Sequence, residues 1–321
     1  MKVVLLMGGR SGEHDISLMS GAAVAAALDR LDYPHLDVIL ERDGGARWPG
    51  GAGSTAEALV AITEWGPDVA FIAMHGADGE DGTVQGALQL IGVPYQGSGV
   101  QASANGLDKA RTKALLRLAG LPVARDRVLR RGAAVDWDAL ADELGLPIVL
   151  KTEASGSSVG VEVIADRAAL AERGPALLRE TPALLAEAFL AGREFTGPVL
   201  EDPDGVPRAL PAVEIRPRTA AFFDYVAKYT PGATDELCPA PIPAELEARI
   251  GALALAAHEA LGCRGYSRTD LMLDVDGAPH ILEVNTLPGL TQASLLPKSA
   301  GVAGLDFPAL VARLLQRATA R

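Results

Sequence analysis

Five consecutive apolar residues, 3–7, end at Gly8-Gly9, a pattern that predicts a buried strand running into a tight loop. Ser17 then stands near the head of a helix-length segment reaching about Leu28 and predicts its N-cap. Apolar runs at 36–40 and 68–74, a helical segment at about 83–91 and a short run at 93–95 continue the alternation. Strands alternating with helices across short loops predict a parallel sheet covered on both faces. A single helix is expected over about 102–118, where Gly120-Leu121-Pro122 breaks the pattern. Strands near 127–129, 148–151, 159–164 and 184–187 then predict a smaller α+β segment, and a last helix covers 307–317. The class is α/β with an α+β centre, and the expected domains are 1–103, 104–191 and 192–321.

Two segments near the end of the chain carry the most chemistry. Arg268-Thr-Asp270-Leu-Met-Leu and His280-Ile-Leu-Glu283-Val-Asn285 flank a turn-forming Asp274-Val-Asp276-Gly277. Side chains two apart on a strand share a face. Arg268 and Asp270 therefore point one way, as do Glu283 and Asn285, while Leu271, Leu273, Ile281, Leu282 and Val284 are expected to make the other face apolar. Such a polar set is either a solvated hairpin face or a ligand site. If the sheet is buried, four polar groups on one face need a ligand or partners. Carboxylate and amide oxygens suit Mg²⁺ held against phosphates, and a guanidinium suits a transferring phosphoryl group.

Composition narrows the picture. With 49% hydrophobic residues the chain can fill more than one core. Its longest apolar stretch, 22–28, is far short of the roughly 18 residues a membrane span needs, and residues 1–7 read as a strand instead of a leader. Two cysteines, Cys238 and Cys263, suggest neither a disulfide framework nor a zinc site, so the cytoplasm is expected. The net charge of −12 argues against a nucleic-acid partner.

Several loops carry candidate chemistry. Gly8 to His14 and His75-Gly-Ala-Asp-Gly-Glu80-Asp-Gly82 both follow strands, where ligands of parallel sheets bind. Lys151 ends a strand before the small, hydroxyl-rich stretch that includes Ser157 and Ser158, suited to phosphate oxygens. Gly97-Ser-Gly99 reads as a tight turn. Lys109, Arg111 and Lys113 read together as a solvated helix face, and His258 as a helix-surface histidine. Residues 222–232, aromatic but interrupted by Asp224 and Lys228, suit an ordered loop or lid.

In order along the chain, Gly-Gly-x-Ser-x-Glu13-His-x-Ile-Ser17, the His75 loop, Gly97-Ser-Gly, Asp108-Lys109, Gly156-Ser157-Ser158-Val-Gly160, Gly192-Arg-Glu194, Asp224-Tyr-x-x-Lys228-Tyr229, Arg268-x-Asp270 and Glu283-x-Asn285-Thr-x-Pro-Gly289 resemble the D-alanine–D-alanine ligases of the ATP-grasp superfamily. The resemblance covers nearly the whole chain and implies a three-domain ATP-grasp architecture with an N-terminal parallel-sheet domain. It implies ATP-dependent joining of two D-alanines through a D-alanyl phosphate, for peptidoglycan precursors. ATP would meet Lys109, Lys151, Ser158, Glu187 at the adenine amino group and Glu194 at the ribose. Asp270, Glu283 and Asn285 would hold two Mg²⁺ or Mn²⁺ ions. Arg268 and the Gly289 N–H would stabilise the oxyanion, and Glu13 with Ser157 and Tyr229 would close over the first D-alanine. His75, Lys228, Ser294 and Leu295 would bind substrate. The resemblance also implies a homodimer. Departures at Asp15, Thr152, Ala188, Phe223 and Val226 remove no group the chemistry needs.

Overall fold

The computed structural model describes residues 1–152, 160–218 and 233–319. The apolar start of the chain is β1 (Val3–Gly8), every residue of which is buried. It pairs in parallel with β2 (His35–Leu40) and β5 (Val69–Ile72), while β3 (Gly45–Trp48) and β4 (Gly51–Ser54) extend the sheet antiparallel, in the order β4-β3-β2-β1-β5. The β3–β4 hairpin escaped the sequence reading because its strands are short and rich in glycine, with no alternation to mark them.

The helices of this layer are α1 (His14–Arg30), α2 (Thr55–Trp65) and α3 (Thr83–Leu90). Ser17 does not cap α1. Glu13 holds the N-cap position, and Ser17 is buried one turn inside, accepting from Gly8 N and donating to the Ala73 carbonyl at 2.8 Å each. The hydroxyl thereby ties the helix to the ends of β1 and β5.

The expected single helix at 102–118 is two, α4 (Val100–Leu107) and α5 (Lys109–Leu118). Asp108 breaks the run with extended backbone, and its side chain accepts from Arg111 N as an N-cap. A second, antiparallel sheet follows, ordered β6-β9-β7-β8, from β6 (Asp126–Arg130), β7 (Ile148–Thr152), β8 (Glu162–Ile164) and β9 (Ala183–Ala188). Helices α6 (Trp137–Leu144) and α7 (Arg167–Glu180) pack on it around Leu140, Leu150 and Leu170.

The third sheet is also antiparallel. Its order is β13-β12-β10-β14-β15, built from β10 (Glu194–Glu201), β12 (Val213–Pro217), β13 (Thr234–Leu237), β14 (Tyr266–Leu273) and β15 (Pro279–Asn285), with β11 (Pro207–Ala209) on β10. The helix α8 (Ala244–Leu261) covers one face through Ile250, Ala257 and Leu261. Helices α9 (Leu295–Val302) and α10 (Phe307–Thr319) then return to the first sheet. Leu310, Val311, Leu314 and Leu315 of α10 are buried in the same core as β1 and β5. That core is filled from both ends of the chain.

The Gly97-Ser98-Gly99 turn joins the first sheet to the third. Gly97 has φ of 84°, and a Cβ there would lie 3.0 Å from the Leu287 side chain. Beside it, Gln96 bonds both the N–H and the carbonyl of Ile72 and donates to the Tyr266 hydroxyl at 3.1 Å, while Arg264 donates to the Gly97 carbonyl at the same distance.

His258 is buried, against expectation, because α8 turns it toward β14, where its Nδ1 meets Ser267 Oγ at 2.8 Å. Its Nε2 lies 3.8 Å from Glu201, which also accepts from Arg317 of α10 at 2.8 Å. Burial alone would raise the Glu201 carboxyl, but His258, the Gly265 backbone and Arg317 hold it down at about 2. A carboxyl depressed in the fold adds stability that is complete above the ordinary carboxylate range and vanishes as pH falls toward 2. Glu201→Gln is therefore expected to cost about 2 kcal/mol near neutral pH. The gap from wild type should narrow on acidification below about pH 4.5. Urea unfolding at several pH values measures it, and a pH-independent gap would refute the assignment.

Candidate active site

The β14–β15 register puts Arg268 across from Asn285 and Asp270 across from Glu283. A bulge follows: Leu271 pairs with Ile281, so Leu282 has no opposite number. All four polar side chains share one face, while Leu271, Leu273, Ile281 and Val284 are buried on the other, as expected. Leu282, expected on the same apolar face, is instead displaced by the bulge and half-buried.

Asp270 is the focus of the polar face. Arg268 forks onto it, Nε to Oδ1 at 2.9 Å and Nη2 to Oδ2 at 2.8 Å. Thr196 of β10 donates to Oδ1 at 2.7 Å, and Asn285 Nδ2 to Oδ2 at 3.1 Å. Burial by itself would lower the Arg268 pKa, but Asp270, Glu283 and Glu80 hold it above its ordinary value. Lys109, at the start of α5, is buried with its Nζ 3.7 Å from Glu283. The expected solvated face of α5 is thus reduced to Arg111, since Lys113 is also buried.

From the first sheet, two loops face this surface. Ser11 Oγ accepts from Glu13 N and donates to the His75 carbonyl at 2.7 Å. The Glu13 carboxylate lies against Gly76, where a Cβ would stand 2.9 Å from Oε2. His75 Nε2 meets Ser20 Oγ at 2.9 Å, and its Nδ1 is 3.7 Å from Glu80. Glu80 in turn accepts from Gly76 N at 3.1 Å. Because Glu80 also acts on Arg268, it links the His75 loop to the hairpin electrostatically.

On the far side, Gly289 has no room for a side chain, since a Cβ would sit 2.9 Å from Ser294 Oγ. Ser294 precedes α9, and its hydroxyl turns back to Thr291. Leu295 is buried beside Val213 and Ile215. Toward the second sheet, a cavity of about 510 Å³ is lined by Phe189, Leu190, Arg193, Glu194, Glu214 and Met272, among others. Glu187, one strand position before Ala188, is buried and bonded to Lys151 and Lys113. Ser157, Ser158, Lys228, Tyr229, Phe223 and Val226 lie outside the described residues.

Comparison with known proteins decides the family. The sequence models for "D-ala D-ala ligase C-terminus" and "D-ala D-ala ligase N-terminus" match residues 115–316 and 60–98. A D-alanine--D-alanine ligase of Desulforudis audaxviator is 43% identical over 321 residues, covering 100% of this chain and 99% of its own. The chain belongs to the D-alanine–D-alanine ligase family. A ligase of Chromohalobacter salexigens is likewise 43% identical, over 99% of this chain and 94% of its own. Among solved members, the Bacillus anthracis ligase complexed with ATP has a TM-score of 0.82 at 33% identity, over 99% of this chain and 97% of its own. The Coxiella burnetii ligase has 0.83 at 26%, over 99% and 94%. The ATP-grasp fold expected of the family is the fold observed.

Within this ligase fold, sequence reasoning missed Thr196, Glu80 and Lys113. Thr196 sits two residues beyond Glu194 on β10, a same-face spacing that pointed to it. Glu80 was legible only as part of its loop, because its partners come from elements distant in sequence. Thr196 is buried and isosteric with valine, so Thr196→Val removes one donor from Asp270 without a cavity. A cost of about 1–2 kcal/mol is expected. Chemical denaturation of the ligand-free protein measures it, and unchanged stability would contradict the network.

Proposed function

We propose that this chain joins two D-alanines to D-alanyl-D-alanine, with ATP as co-substrate and ADP and phosphate as products, supplying a peptidoglycan precursor. The observation that carries the reading is the hairpin face, where a carboxylate pair, an amide and a guanidinium converge beside Glu80 and His75. Membership of the ligase family supports it.

The donor set suits hard divalent cations: two carboxylates and an amide oxygen on one face, with second contacts orienting them. Asp270, Glu283 and Asn285 would hold two Mg²⁺ or Mn²⁺ ions, which when bound neutralise charge on the phosphates of ATP. Arg268 is fixed by Asp270 in a geometry that keeps its charge facing the site. Lys109 and Lys151 would contact phosphate oxygens, joined by Ser158, and Glu194, which lines the 510 Å³ cavity, the ribose hydroxyls. Glu187 would accept from the adenine amino group.

The carboxylate of the first D-alanine attacks the γ-phosphorus, and ADP leaves with the electrons of the broken P–O bond. The amine of the second D-alanine, having lost its proton, then attacks the acyl carbon. Arg268 and the Gly289 N–H stabilise the oxyanion, and phosphate departs. Glu13 pairs with the first ammonium, while Ser157 and Tyr229 complete its enclosure. His75 and Lys228 serve substrate carboxylates, and Ser294 and Leu295 the second D-alanine. Tyr229 favours D-alanine over D-lactate as acceptor. We place the protein in the cytoplasm as a homodimer. Among the described residues no helix is long and apolar enough to cross a membrane.

Phosphate release from ATP and Mg²⁺ should depend on D-alanine, and release unaffected by D-alanine would sink the reading. Glu283→Gln keeps volume but weakens the metal set, so turnover should fall at least about 100-fold with an unchanged melting temperature. Near wild-type turnover would mean that the metal site lies elsewhere.

A further inference from the structure

Lys113 has no part in the chemistry above, yet it is fully buried. It lies one turn after Lys109 on α5, and its ammonium donates to Oε1 of Glu187 on β9. The same nitrogen stands 3.1 Å from Oδ1 of Asp126 on β6. Lys151, on β7 at the other side of β9 from β6, holds the other Glu187 oxygen. Arg117, one turn further along α5, sits against Asp126. Two carboxylates are thus enclosed with two buried ammonium groups and a half-exposed guanidinium.

The two lysines are not equivalent. Lys113 is gripped by carboxylates on both sides, whereas Lys151 is paired with Glu187 at the end of β7. On the reading above, Lys151 serves the ATP phosphates and Glu187 the adenine amino group. Nucleotide binding then draws Lys151 away from Glu187. A buried carboxylate left without a cation takes up a proton and ceases to be a full acceptor.

We propose that Lys113 is the standing countercharge of the nucleotide site, a positioning residue that keeps Glu187 ionised while Lys151 turns to the phosphates. The inference rests on the ATP-site reading, and it adds a residue that touches no ligand. Asp126 is the anchor that keeps Lys113 in place when the charge on Lys151 is shared out. Burial pulls the Lys113 ammonium down to about 8, against the opposing pull of Glu187 and with the help of Lys151 and Arg117. Loss of that proton leaves Glu187 with Lys151 alone, the same arrangement that removing the side-chain charge produces.

Calorimetric titration of ATP with Mg²⁺ into the full chain tests this. Lys113→Gln should weaken Kd for ATP about tenfold. Its binding stoichiometry should stay at the wild-type value, whereas a merely structural defect would lower the stoichiometry and leave Kd in place. In the wild-type protein the affinity should fall as pH rises through about 8, and in Lys113→Gln it should be flat there. Equal Kd values for the two proteins overturn the proposal. A wild-type affinity constant between about pH 7 and 9 overturns it too, and that measurement stands even if the variant does not fold. Failure of the ligase reading is separate: the wild-type protein would bind ATP but release no phosphate on addition of D-alanine.

Discussion

The pairing register of β14 with β15 is the constraint on which the site depends. Because strand side chains alternate, a slip of one residue would carry Glu283 and Asn285 to the buried face and bring Val284 to the polar one. Burial of Leu271, Ile281 and Val284 prevents that slip. The bulge at Leu282 then lets the polar pair and the apolar pairs beyond it each keep their proper side. Everything else converges on the face so defined: Thr196 from β10, Lys109 from α5, Glu80 from the loop after β5.

On the proposed reading of the nucleotide site, an acidic chain handles an anionic co-substrate by burying its cations. The protein carries 29 lysines and arginines against 41 acids. Lys109, Lys113 and Lys151 are nevertheless all buried, each beside a carboxylate. Charge enclosed with its partner is costly to leave unpaired and little screened by salt. Such pairs are therefore held ready without adding a positive surface for unrelated polyanions.

Much of this was legible in the sequence. Period-two spacing placed Arg268, Asp270, Glu283 and Asn285 together, and apolar runs located β1, β2, β5, β7 and β9. What escaped did so for stated physical reasons. Asp108 looked like one more helix residue, yet its short acceptor captures Arg111 N and divides the helix. Lys113 and His258 lie on helices whose own pattern gives no hint of an inward turn, because their partners come from other elements. The β3–β4 hairpin lacks the alternation by which strands are recognised. The roles of Ser157, Ser158, Lys228 and Tyr229 rest on motif alone.

The last helix has a consequence for how the molecule is made. Synthesis delivers β1 first, and a nascent domain ordinarily folds as its own residues emerge. Here Leu310, Leu314 and Leu315 belong to the core that covers β1 and β5. Until those residues leave the ribosome, some three hundred positions later, the first sheet is exposed along that flank. Among the described residues, the apolar cluster that packs on the second sheet comes from residues 129–186 and is delivered well before then. The order of closure is thus not the order of translation, and the earliest strands wait longest for shelter.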